Sequence, residues 1–332
     1  MLKLHDTPGK LARPAAAQPP SARRTAWGRH ARRILHLAPL LLLAAAGVVL
    51  WREFRHLSFA EVAAAMADWG YGRVLLVLAL SALSFLLMGV VEWLGLRWAA
   101  ARAPWGAAIG VSFLANAIAH SVGANLLVSG ALRARLYERY GVSLAQVAAT
   151  TLFGGMSFAV GLSMLAGCGL VLSPAEQLAA TAIPVAVARL LGWSLIAVVL
   201  GYVALCALRR APVHAFGRSL ALPSAGDAAA QIAVGVADNG VAAAIIWLLL
   251  PPGDAPYATF VGAYAVAAVA GLISTVPAGA GVFEGSISAL LPEVGSASLA
   301  AAFLGYRLSY YVLPLILATV ALAGHTVRRR GR

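Results

Sequence analysis

The sequence predicts an all-α fold: a polytopic membrane bundle of six full spans and two re-entrant hairpins. Three observations carry this. Of the 332 residues, 61% are apolar and 11% charged, whereas an average soluble domain has roughly 25% charged residues. Apolar runs of about 20 residues, enough to cross ~30 Å of hydrocarbon, recur from Ile34 to Val327. The alternating segments of a transmembrane barrel do not occur. The simpler alternative is eight through-going helices.

Residues 1–33 form a basic, Pro/Ala-rich tail without apolar periodicity, expected to be disordered. The run from Ile34 meets Trp51-Arg52 rather than a small-residue cleavage site, so it reads as a first anchor and not a cleaved signal peptide. The apolar segments are 34–51, 74–93, 107–131, 144–172, 184–207, 228–250, 257–276, 282–291 and 297–323. Together they make one transmembrane domain over 34–325, followed by a basic tail, 326–332.

Charge distribution sets the topology. With simple crossings, Arg133, Arg135, Arg139, Arg209, Arg210 and Arg218 fall outside, against the positive-inside bias. Two segments that enter and leave on one side move all six inside. The first is 105–131, turning near Ser121–Asn125; the second is 257–291, turning at Pro277–Gly281. Both termini are then cytoplasmic, and the membrane is expected to be a bacterial inner membrane. Opposed broken helices of this kind resemble the architecture of inverted-repeat transporters.

The net charge of +13 does not point to nucleic acid. The basic residues sit in tails and short loops beside apolar runs, as membrane orientation and anionic-lipid contact require. Cys168 and Cys206 lie inside apolar segments and read as packing residues. No metal-ligand spacing or cofactor fingerprint is present. Gly279, Gly281 and Gly285 give the wrong spacing for a dinucleotide loop, and no βαβ unit surrounds them.

Polar groups at membrane depth are the candidate functional residues. Pro277, Gly279 and Gly281 break the backbone next to Glu284, and broken backbone at that depth survives only where protein or water covers it. Asp238 lies ten residues past Ala228, about 15 Å along a helix, followed by Asn239. It is either hydrogen-bonded to a neighbouring helix or in contact with substrate or ion. Arg307 is similarly deep and keeps its charge. It either pairs with Glu284 to fix the hairpin or grips a phosphate, which suits its fork. Asn116, His120 and Asn125 give the first hairpin its polar content; the first two share a helix face. Arg133, Arg135 and Arg139 follow that hairpin, as topology signals or headgroup contacts. Glu92 and Arg189, near segment ends, are expected to snorkel to the interface.

Three stretches in order carry a family resemblance: Gly130–Tyr137 with Gly141–Ser143, then Val276–Glu284, then Tyr306–Pro314. Together they resemble the membrane domain of bacterial lysylphosphatidylglycerol synthases, the multiple peptide resistance factor family, across roughly residues 34–325. The resemblance implies a phospholipid flippase that moves aminoacylated phosphatidylglycerol outward. It also implies a stand-alone form rather than a synthase, because the soluble domain that makes the lipid does not follow. Arg133, Arg135 and Tyr137 match the first motif. Pro277, Gly279, Gly281 and Glu284 match the second, and Tyr306, Arg307, Tyr310 and Pro314 the third. The implied partners are membrane phospholipids and a separate lipid-modifying synthase. The rival readings are a non-transporting scaffold for that synthase and, less favoured, a membrane-embedded enzyme, for which no nucleophile or metal cluster accompanies Asp238 and Glu284.

Overall fold

The computed structural model describes residues 59–122, 125–179, 184–209, 213–215, 218–220, 222–274 and 281–330. The basic N-terminal tail, the predicted first anchor 34–51, Pro277 and Gly279 lie outside the described residues, as does the side chain of Asn125.

The described chain opens with α1 (Phe59–Ala67), α2 (Tyr71–Trp98), the pair α3 (Trp105–Val122) and α4 (Asn125–Tyr137), α5 (Leu144–Leu172), the short α6 (Ala175–Ala179) and α7 (Val185–Leu208). A small antiparallel ribbon follows, β1 (Val213–Ala215) on β2 (Arg218–Leu220), with Val213 opposite Leu220. Then come α8 (Ala225–Leu249), the pair α9 (Tyr257–Ile273) and α10 (Val282–Leu290), and α11 (Ser296–Arg307). A π-helical turn, Leu308–Val312, joins α11 to α12 (Leu313–Arg330).

Five of these stretches are long and apolar enough to cross a bilayer: α2, α5, α7, α8 and Ser296–Ala323. They are the spans predicted after the first anchor. The remaining apolar segments are shorter helices that pack in pairs. α3 and α4 pack against each other, and Asn116 of α3 reaches Arg133 of α4. α3 ends at Val122 and α4 begins at Asn125, so this contact across so short a connection means that the pair folds back antiparallel. α9 and α10 likewise pack together, Tyr264 meeting Phe283 at 5.7 Å between ring centroids.

Ser143 caps α5 and exchanges bonds with Gln146, whose amide also donates to the carbonyl of Ala100 (3.0 Å), tying the α2–α3 connection to α5. Ser224 caps α8 by accepting from the N–H of Asp227 (3.1 Å).

The core is built on α5, α8, α2 and α9. Lipid is as apolar as leucine, so membrane helices associate through close backbone approach at small residues. α5 and α8 cross at Gly161 and Gly235: a Cβ added to Gly161 would lie 2.2 Å from the carbonyl carbon of Gly235. Leu190, Trp193, Val198 and Leu200 of α7 are exposed, forming an apolar face suited to lipid. α1, which has no counterpart among the predicted segments, leads into Trp69, whose indole N–H donates to the carbonyl of Leu249 (3.2 Å). α12 continues as helix through Arg330, beyond the predicted start of the C-terminal tail.

The π turn is a feature that apolar periodicity does not announce. The N–H of Leu313 donates to the carbonyl of Leu308, one residue further back than in an α-helix. Pro314 follows. It has no N–H, and its ring crowds the carbonyl four residues earlier, so the helix widens just before it.

Candidate functional site

Two buried ion pairs and an aromatic string contain most of the polar residues singled out in the sequence. The first pair joins α2, α3 and α4. Arg133 sends its Nε to both oxygens of Glu92, at 2.8 and 3.1 Å. A terminal nitrogen of the same guanidinium donates to Asn116 Oδ1 at 3.4 Å. The Tyr137 hydroxyl donates to Glu92 Oε1 at 3.1 Å. Glu92 is only 3% exposed and Arg133 7%. Glu92 therefore does not snorkel: burial among three helices and a guanidinium fork hold it inside. Arg189 does lie near its helix start, donating to the carbonyl of Ser173 at 2.8 Å. Arg135, two residues from both Arg133 and Tyr137, is exposed, and Arg139 lies over the ring of Tyr140 at 4.6 Å.

The second pair joins α10 and α11. Arg307 donates through Nε to Glu284 Oε1 at 3.0 Å, and a terminal nitrogen bonds the same oxygen. The other oxygen accepts the N–H of Gly281 at 3.0 Å. Glu284 thus reaches back over the first turn of α10, where a helix dipole favours a negative charge. Gly281 has φ of 80°, a conformation that strains any residue with a side chain. Of the two sequence readings of Arg307, the pair that fixes the hairpin is the one seen.

A string of hydroxyls and rings leads to the second pair. Asp238 of α8 accepts a hydrogen bond from Ser84 of α2. Ser84 is in turn 2.7 Å from the Tyr310 hydroxyl on the π turn. Tyr310 stacks on Tyr306 at 5.1 Å and on His120 at 6.0 Å. Tyr306 meets Tyr311 edge to face at 5.6 Å, Phe283 joins Tyr264 to Tyr306, and the Arg307 guanidinium sits over the Tyr311 ring at 5.1 Å. The π turn makes this possible: it places Tyr306, Tyr310 and Tyr311 around one locus, a use typical of π-bulges.

Trp69, ahead of α2, lies within reach of Gly305 on α11, and Ser84 meets Tyr310, so α2 touches this rod at two levels. Glu92 lies eight residues beyond Ser84 on α2, about 12 Å further along. Arg307 precedes Tyr310 on the other rod.

Asn239 points elsewhere. Its amide donates to the carbonyls of Gly235 (2.8 Å) and Phe158 (3.4 Å) at the α5–α8 seam. Sequence reasoning missed Ser84, Tyr264 and Tyr311 and set Glu92 aside. The tandem tyrosines of the third motif were the available signal for Tyr311. No group of His, Cys, Asp and Glu among the described residues could hold a metal.

Long apolar helices, glycine seams and a buried polar string define a multi-pass helical membrane protein. Comparison with known sequences is more specific: the chain matches the family described as the lysylphosphatidylglycerol synthase TM region over residues 37–318, and it belongs to that family. It is similar to the uncharacterized protein slr0712 of Synechocystis, 28% identical over 326 residues, covering 93% of this chain and 96% of that one. It is also similar to the inner membrane protein YbhN of Escherichia coli, 40% identical over 106 residues, 31% of this chain and 33% of that one.

Proposed function

We propose that the protein moves a phospholipid across a bacterial inner membrane, with its two broken-helix pairs re-entrant from opposite faces and both termini cytoplasmic. One observation carries the reading: a polar and aromatic string runs from Asp238 to the buried Glu284–Arg307 pair, and a second buried ion pair, Glu92–Arg133, lies further along α2, all within a largely apolar bundle. A charged headgroup cannot cross hydrocarbon without a polar substitute for water, and this string supplies one while acyl tails stay in the lipid. Guanidinium forks suit a phosphate. Arg133 and Arg307 can each exchange a carboxylate for it, because carboxylate and phosphate present similar paired oxygens. The pairs then act as gates, each opening as a headgroup replaces Glu92 or Glu284 on its arginine. The exposed Arg135 attracts anionic lipid at the mouth of the first pair. The family description supports an aminoacylated phosphatidylglycerol as cargo.

The test is reconstitution of the purified protein into liposomes containing a fluorescent phospholipid. Transbilayer movement faster than in protein-free vesicles is expected. Unchanged movement removes the proposal.

A further inference from the structure

We propose that Asp238, together with Ser84, Tyr310 and His120, forms a proton-binding site that couples proton movement to the bundle's conformational cycle. The coupling rests on the lipid-transport reading above, whereas proton binding can be measured without lipid transport.

The argument starts from charge compensation. Glu92 and Glu284 are both held by arginines. Asp238 has no cation within salt-bridge reach among the described residues; its hydrogen-bond partner is the Ser84 hydroxyl. A carboxylate at this depth is costly unless it gains a counter-charge or a proton. The groups facing it include no counter-charge. From α2 it meets Ser84, and from α9 Tyr264. From the π turn come Tyr310 and Tyr311, and from α11 Tyr306 and Arg307, the arginine being engaged by Glu284 of α10. α3 contributes His120 beside Tyr310. On α7, Tyr202 bonds Gln231 and has Cys206 beside it. α5 carries no ionisable side chain except Cys168.

The second observation is the hydrogen-bond chain. With Asp238 ionised, Tyr310 donates to Ser84 and Ser84 donates to the carboxylate. With Asp238 protonated, the chain reverses: Asp238 donates to Ser84, Ser84 to Tyr310, and the Tyr310 proton needs a new acceptor. His120 stacks on that ring, and its Nδ1 is buried with no hydrogen-bond partner. The chain therefore ends in a carboxylate on one side and an imidazole with an unpartnered ring nitrogen on the other. Only an O–H bond forms and breaks: Asp238 takes a proton from water at one face and returns it to water at the other. The switch lies three residues from Gly235, where α8 meets α5 backbone to backbone, and it reaches the π turn through the Ser84 hydroxyl. Its state thus bears on how α8, α2 and the α11–α12 rod hold together.

The experiment uses the full chain in lipid nanodiscs, titrated from alkaline to acid pH under infrared difference spectroscopy. A protonated-carboxyl stretch should appear on acidification, vanish in Asp238→Asn and persist in Asp227→Asn, a carboxylate at the exposed start of α8. Tyr310→Phe should shift its midpoint, which keeps the test decisive if Asp238→Asn does not fold. In proteoliposomes, a pH gradient should speed lipid movement severalfold over each variant's own gradient-free rate in wild type, and not at all in Asp238→Asn. A wild type without the band, or a band that survives Asp238→Asn, overturns the site. A correct band with no effect of the gradient overturns the coupling, and a response to sodium instead of pH overturns the choice of ligand. Absent lipid movement with a correct band removes the transport reading and leaves the proton site standing.

Discussion

Replacing Arg133 by methionine separates a compensated ion pair from a merely adjacent one. Both partners are nearly sealed, with side-chain exposures of 8% for Arg133 and 4% for Glu92. Removing the guanidinium deletes the two Nε contacts and the bond to Asn116, leaving Glu92 with the Tyr137 hydroxyl. Breaking a buried pair on one side costs about 3–5 kcal/mol, because the remaining charge stays buried alone. Replacing both partners by apolar groups of similar volume is often close to neutral. Arg133→Met should therefore destabilise by about 3–5 kcal/mol, whereas Glu92→Leu with Arg133→Met should fall within about 1–2 kcal/mol of wild type. Arg135→Met, on an exposed side chain, should stay within about 0.5 kcal/mol. Reversible unfolding in mixed micelles, followed by circular dichroism, measures all three. Equal losses in the single and double variants would refute the compensation argument.

Three further outcomes follow from the geometry. Gly161→Ala drives a methyl to 2.2 Å from the Gly235 backbone and should cost about 1–3 kcal/mol in the same assay; Gly155→Ala on the same helix, with open space around it, should be near neutral. Gly281→Ala forces an L side chain to φ of 80° and should cost about 1–3 kcal/mol, read as faster protease cleavage beside α10. Arg307→Ala should slow lipid movement in liposomes more than Arg218→Ala at matched protein content; equal rates would take Arg307 out of the proposed path.

Helix content and span lengths were legible because hydrocarbon thickness acts locally. The motifs also marked Arg133, Tyr137, Glu284, Arg307 and Tyr310, since ionisable groups among apolar runs stand out. What they touch was not legible. Glu92 meets Arg133 from 41 residues away, and Ser84 meets Tyr310 from 226. In a membrane helix, the core-facing and lipid-facing sides are both apolar, so periodicity does not say which face meets which helix. Glu92 looked like an interfacial residue for that reason, and Asn239 looked like part of the Asp238 site although it serves the α5–α8 seam. The π turn escaped because it requires one extra residue in an otherwise ordinary helical pattern; Pro314 was its only local trace.

The account stands on a headgroup entering the string, and photo-crosslinking reads this directly. A photoreactive amino acid placed at Tyr311, beside Arg307, should form phospholipid adducts in native membranes, detected by mass spectrometry of the purified protein. The same group at Phe153, buried in the α2–α5 seam, should form none. Equal adducts at the two positions, or none at Tyr311, would contradict a headgroup path through this bundle.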